Sequence, residues 1–144
     1  MRKAIVSGAN GFVGSAVVKE LISQGYEVYA LVRENHYDQV PINEMVRIVP
    51  FSLENIEALG EVIPINEYEA FYHFAWNGST GVDRADTALQ LKNAQWTVEC
   101  LQMAKRLGCK RFVPAGSIME HETIAAVYTQ GNRPGAGYIY GSGK

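Results

Sequence analysis

Apolar positions in this chain recur in two rhythms that alternate with one another. Ala4-Ile5-Val6 is a short apolar run that stops at Gly8, after which Val13, Val17, Val18, Leu21 and Ile22 fall on one face of a helix. Gly25 stands where that helix should end, because a left-handed terminal residue costs glycine least. Residues 26–32 read as a second strand, residues 46–49 as a third and residues 71–76 as a fourth. Between the last two, Ser52 is placed to cap a short helix through Leu59. Leu91, Ala94, Val98, Leu101, Ala104 and Leu107 form the stripe of one long helix closed by Gly108, and Arg111-Phe112-Val113 supplies a fifth strand. Residues 118–137, which hold Gly131, Pro134, Gly135 and Gly137, read as one long irregular loop of the kind that surrounds a site. Strands alternating with helices predict an α/β fold: a doubly wound parallel sheet with helices on both faces, since crossovers are almost always right-handed.

Composition narrows the function more than the fold. With 144 residues and 47% apolar content the chain can bury one core, so a single domain is expected. Thirteen Lys and Arg against fifteen Asp and Glu leave no cationic excess to hold a nucleic acid or an acidic membrane. No apolar stretch approaches the roughly 20 residues of a membrane span, and Met1-Arg2-Lys3 runs straight into a strand rather than into a secretory signal. Cys100 and Cys109 lack metal or redox spacing and read as reduced thiols of a cytoplasmic protein. His36, His73 and His121 have no ligand spacing, so no metal is expected.

Gly8-Ala9-Asn10-Gly11-Phe12-Val13-Gly14 lies between the first strand and the first helix. There, backbone N–H groups and the helix dipole favour a bound phosphate, and glycines permit a tight turn and close approach to a pyrophosphate. The spacing is G-x-x-G-x-x-G, which differs from the common G-x-G-x-x-G fingerprint.

Further residues follow this loop in a fixed order: His73-Phe74-Ala75-Trp76 at the end of the fourth strand, Asn93 with Thr97 on the long helix, Ser117 after the fifth strand, and Tyr140-Gly141-Ser142-Gly143-Lys144. Together these resemble the extended short-chain dehydrogenase/reductase family, the NAD(P)-dependent epimerases, dehydratases and reductases that often act on nucleotide sugars. The resemblance covers the whole chain and implies a Rossmann-like, dinucleotide-binding domain over residues 1–144. It also implies that the chain stops at the Lys of Y-x-x-x-K, without a C-terminal substrate domain. Alone, such a chain is expected to bind the dinucleotide weakly, if at all, and to turn nothing over.

Gly8, Asn10, Gly11, Phe12, Val13 and Gly14 are then the expected phosphate-side contacts, with Ser52 and Leu53 near the adenine and Phe74, Ala75 and Trp76 along the cofactor. Val32 stands at about the acidic position that accepts ribose hydroxyls, while Arg33 beside it suits a 2′-phosphate. NADP is therefore expected ahead of NAD, although Glu34 offers either a ribose contact or repulsion of that phosphate.

The resemblance assigns catalysis to Tyr140 as acid/base on the substrate oxygen, with Ser117 hydrogen-bonding the same oxygen. Lys144 would hold the nicotinamide ribose, and Asn93 would support Lys144. On one helix Tyr140 and Lys144 would share a face, and a cation near a phenol favours its ionised form. Read without the resemblance, Ser117 is equally a helix cap and Asn93 an exposed helix residue. Ile118-Met119 after Ser117, where sugar dehydratases carry Asp-Glu, disfavours elimination and leaves epimerisation or ketone reduction. The other function class is a cofactor-sensing module, against which the joint presence of Ser117, Tyr140 and Lys144 argues. A nucleotide sugar is the expected small-molecule partner, and the long helix is a candidate homodimer face.

Overall fold

The chain starts in a buried strand, β1 (Arg2–Ser7), and leads through Gly8 into the first helix, α1 (Phe12–Ser23). The computed structural model describes the backbone of residues 1–129 and 136–144 and the side chains of residues 1–124 and 139–144. After α1, Gly25 adopts φ +76° and turns the chain into β2 (Tyr26–Val32). Next come β3 (Val46–Pro50), a 3₁₀ turn over Leu53–Ala58, the single-turn α2 (Leu59–Val62) and β4 (Ala70–His73). A second 3₁₀ turn over Gly81–Ala85 precedes α3 (Thr87–Leu107) and β5 (Phe112–Pro114). The described elements end with α4 (Met119–Thr129) and α5 (Ala136–Gly143).

All strand pairings are parallel, in the order β3-β2-β1-β4-β5, which is the doubly wound arrangement expected from the alternating pattern. The pleat sorts the central strands between two layers. Ala4 and Val6 of β1 join Val28 and Ala30 of β2 in one buried cluster with Val18 and Leu21 of α1. Ile5, Tyr29 and Leu31 point to the opposite face, and the buried Leu59, Ile63, Cys100, Met103, Ala104 and Leu107 complete the apolar interior. Such near-continuous apolar strands are what a parallel sheet covered on both faces requires.

Two expectations need correction. The fourth strand ends at His73 rather than Trp76, because the Ser7 hydroxyl shares the Phe74 N–H with the Ser7 carbonyl and takes the Ala75 N–H at 3.3 Å. The expected irregular stretch 118–137 contains helix over Met119–Thr129 and from Ala136 onward; Gly131, Pro134 and Gly135 lie outside the described residues. The helix begins at Met119 because Ser117-Ile118-Met119-Glu120 is a capping box. The Ser117 hydroxyl accepts from the Met119 N–H at 3.2 Å, and the Glu120 carboxylate accepts from the Ser117 N–H at 2.6 Å.

The chain divides into two compact units, Met1–Ala75 with Val98–Pro114, and Trp76–Thr97 with Ala115–Lys144. Among the described residues no helix is long and apolar enough to cross a membrane, and no cluster of His, Cys, Asp or Glu could hold a metal ion.

Candidate functional site

In the first unit the candidate residues gather at the C-terminal ends of β1, β2 and β4. Gly8 takes φ +67°, and a Cβ there would stand 2.8 Å from the Ala75 nitrogen and 2.9 Å from the Phe74 carbonyl carbon. The phosphate loop and the segment after β4 can therefore approach only because residue 8 has no side chain. Gly14 is equally constrained, since a Cβ at that position would collide with the Gly8 carbonyl. The loop is closed by the Gly11 N–H donating to the Gly8 carbonyl at 3.0 Å. Gly11 caps α1 without a side-chain hydrogen bond, and no acidic residue sits in the first turn. The leading N–H groups of α1 thus have neither an intrahelical nor a side-chain acceptor, and the positive end of the helix is uncompensated.

Phe12 is 93% exposed and Val13 is exposed beside it, whereas the Asn10 amide donates to the His36 carbonyl at 2.9 Å and ties the loop to the segment after β2. A dinucleotide pyrophosphate fits this cradle: glycine where the backbone must come close, free donors, and no competing carboxylate.

Next to it lies a cavity of about 270 Å³ lined by Arg33, Glu34, Pro50, Phe51, Ser52, Asn55 and Ala58. Its walls combine a cation, an anion, an aromatic ring and two neutral polar side chains, a lining suited to a nucleoside. Ser52 also caps the first 3₁₀ turn, accepting from the Glu54 N–H at 3.2 Å. Leu53 is buried and absent from this lining. Val32 is likewise buried, which leaves Arg33 and Glu34 as the charged residues at this end of β2.

One interaction holds the phosphate loop from below. The buried Ser7 hydroxyl lies 2.9 Å from Nδ1 of the buried His73 and accepts from the N–H groups of Phe74 and Ala75 at 3.2 and 3.3 Å. Two amides on the oxygen direct its proton to Nδ1, which makes the ring the Nε2–H tautomer.

The second unit holds the candidate proton-transfer residues. Tyr140 and Lys144 are one helical turn apart on α5, with the Lys144 N–H donating to the Tyr140 carbonyl at 3.2 Å. The Lys144 ammonium sits 3.7 Å above the Trp76 ring and donates to the Ala115 carbonyl at 3.4 Å; it lies farther, at 5.6 Å, from the centroid of the Tyr140 ring. Burial lowers the Lys144 ammonium to about 8, partly opposed by Glu120. Burial raises the Tyr140 phenol above its ordinary value, partly opposed by Arg84, whose guanidinium lies 5.0 Å from the ring centroid. Desolvation outweighs the cation here, so the phenol is less acidic than the Y-x-x-x-K spacing alone suggests.

Asn93 is buried at 1% exposure instead of lying on an exposed helix face. Its amide donates to the Asn77 carbonyl at 2.7 Å and its oxygen accepts from the Asn77 N–H at 3.0 Å, a two-point clamp on the segment after Trp76. Gln90, one turn earlier, accepts from the Trp76 indole N–H at 2.9 Å and donates to the carbonyls of Gly78 and Asp83 at 3.0 Å each. Sequence reasoning missed Gln90, although its spacing of three from Asn93 puts both side chains on one helix face. It also missed the packing role of two glycines. A Cβ at Gly141 would run into the Met119 carbonyl of α4, and one at Gly143 would stand 2.9 Å from the Gln90 carbonyl of α3.

Residues 4–137 match the model of the NAD dependent epimerase/dehydratase family. The dTDP-6-deoxy-L-talose 4-dehydrogenase (NAD(+)) of Aggregatibacter actinomycetemcomitans is 29% identical over 119 residues, 81% of this chain and 42% of that protein. A crystal structure of UDP-galactose 4-epimerase superposes with a TM-score of 0.75 at 21% identity, over 99% of this chain and 48% of the other. The Bordetella bronchiseptica enzyme WbmG in complex with NAD gives 0.74 at 17% identity, over 98% of this chain and 47% of that one. The chain thus spans under half the length of these proteins. The family match covers nearly all of the sequence, from the phosphate loop to the start of α5, and the chain belongs to the NAD dependent epimerase/dehydratase family.

Proposed function

We propose that this chain is the dinucleotide-binding part of an NAD(P)-dependent epimerase or ketoreductase acting on a nucleotide sugar or a related hydroxy or keto compound. The observation that carries the reading is the glycine cradle at Gly8 and Gly14 under an uncapped helix N-terminus, in a chain that also keeps Tyr140 and Lys144 one turn apart. When bound, the nicotinamide supplies hydride exchange at the substrate carbon. The chain's own residues would do the rest. Tyr140 exchanges a proton with the substrate oxygen, Ser117 retains a hydroxyl proton to donate while capping α4, and Asn93 fixes the segment that carries Trp76.

Arg33 in the nucleoside-sized cavity supports NADP, because a guanidinium can fork onto a 2′-phosphate. Glu34 in the same lining favours a second reading, NAD held through its ribose hydroxyls, as the talose dehydrogenase is an NAD(+) enzyme and WbmG forms a complex with NAD. Calorimetric titration of the chain with NADPH and NADH separates the two. Tighter NADPH binding that is lost in Arg33→Ala supports the first; tighter NADH binding that is lost in Glu34→Gln supports the second. Absence of binding of either cofactor by the chain and by a longer natural form alike would remove the dinucleotide reading.

A second copy of the chain is the proposed macromolecular partner. Leu91, Val98 and Leu101 are exposed on α3, and sedimentation of Leu101→Glu against the wild type tests whether that helix self-associates.

A further inference from the structure

We propose that Asn10 is a specificity-determining residue of this site: its carboxamide holds the turn that carries Arg33 and Glu34 at a fixed reach from the phosphate loop, and so sets how sharply the domain separates a 2′-phosphorylated dinucleotide from one with a free ribose. The inference deepens the dinucleotide reading and rests on it. The loop and β2 are joined first through backbone: the Ala9 N–H donates to the Leu31 carbonyl at 3.3 Å, and the Val32 carbonyl accepts from the Phe51 N–H at 2.7 Å. Past Val32 the chain leaves the sheet. Residues 33–36 are all exposed and form a tight turn, in which the His36 N–H donates to the Arg33 carbonyl at 3.1 Å and Asn35 takes φ +63°.

Asn10 ties this turn to the loop, its Nδ2 donating to the His36 carbonyl at 2.9 Å. The next anchor lies downstream, where Tyr37 packs against the core cluster that includes the buried Val40. From within the turn, Arg33 and Glu34 line the nucleoside-sized cavity, the one suited to a 2′-phosphate and the other to ribose hydroxyls. Specificity is a difference between two affinities, and it needs a frame that does not follow the ligand. A wandering turn would let Glu34 retreat from a 2′-phosphate, or Arg33 from a bare ribose, and would flatten the difference between the two ligands. A direct contact from Asn10 to the pyrophosphate would have another signature. It would strengthen every dinucleotide equally, because the pyrophosphate is common to both.

The test uses the 144-residue chain and a longer natural form, each with Asn10→Ala and with Asn10→Leu, which keeps the branching of the side chain and removes its donor. Without ligand, backbone ¹⁵N relaxation should show lower order parameters for residues 33–36 in both variants, with those of β2 unchanged. With ligand, calorimetric titration with NADPH and NADH should show the ratio of the two affinities moving toward one by about threefold or more, the scale of a single hydrogen bond. Combined with Arg33→Ala or Glu34→Gln, whichever abolishes the wild-type preference, the loss of Asn10 should have no further effect on that ratio. A wild type that binds both dinucleotides equally, a turn as ordered in the variants as in the wild type, an unmoved ratio, or an equal loss of affinity for both overturns the proposal. Binding with an unmoved ratio removes this inference and leaves the dinucleotide reading standing. Binding of neither dinucleotide by the wild-type chain and the longer form removes that reading, and the selectivity with it.

Discussion

Ser7 shows how much one hydroxyl can determine. Its oxygen receives two amides from the segment after β4 and its proton has one acceptor left, Nδ1 of His73. Ser7→Ala would strand the Ala75 N–H, while the Phe74 N–H keeps the Ser7 carbonyl at 3.2 Å, at a cost of about 1–3 kcal/mol for the unsatisfied donor. Urea unfolding should report that loss, and ¹⁵N shifts of His73 should move away from the Nε2–H pattern. The bare sequence offered His73 as a residue without metal spacing, which is true and incomplete. Its partner is 66 positions away, and only the parallel pairing of β1 with β4 brings them together. Arg84 was illegible for a related reason: a five-residue 3₁₀ turn has no hydrophobic period to read.

Elements whose apolar period is long were legible, and elements defined by capping were less so. β2 has the limits that the pattern sets and α3 ends where Gly108 closes it, because seven β-rich residues and a stripe from Leu91 to Leu107 leave little ambiguity. The start of α4 was written in the sequence as S-x-x-E at 117–120, but Ser117 was weighed for catalysis and the glycine- and proline-rich residues further on suggested a loop. Both readings of Ser117 now bear on one group, since its hydroxyl caps the helix and remains able to donate a proton. Glu120→Ala should cost the helix about 0.5–2 kcal/mol, the range for a lost cap. It should also lower the Lys144 ammonium further, because Glu120 is the charge that raises it. Thermal unfolding checks the first effect and an NMR titration of the Lys144 side chain the second. At the phosphate loop, Gly14→Ala forces a Cβ onto the Gly8 carbonyl, so calorimetry should find dinucleotide binding weakened at least tenfold, the equivalent of about 1.4 kcal/mol.

At the scale of the whole molecule, stability on the alkaline side is set by groups that burial holds protonated or neutral. Cys100 and Cys109 are pushed by burial from 9.0 up to about 12, and Tyr68 and Tyr140 are also raised. Each of these binds its proton more tightly when folded, so stability falls as pH rises through and above 9. Lys144 acts in the opposite sense: its proton is bound more weakly when folded, and the cost of burying the charge is relieved as pH rises from about 8 towards its ordinary 10.5. Urea midpoints measured from pH 8 to pH 10 should therefore decline overall, less steeply in Cys109→Ala and more steeply in Lys144→Met.

The helix that carries Tyr140 and Lys144 has a different lesson for anyone wishing to make a hardier variant. Replacing helical glycine by alanine normally gains up to about 1 kcal/mol, and α5 offers two such positions in Y-G-S-G-K. Here the usual recipe reverses, because Gly141 and Gly143 are the seats on which two other helices rest, and a methyl group at either one would prise the helix off its neighbours. Thermostabilising libraries built from helix propensity should exclude both positions.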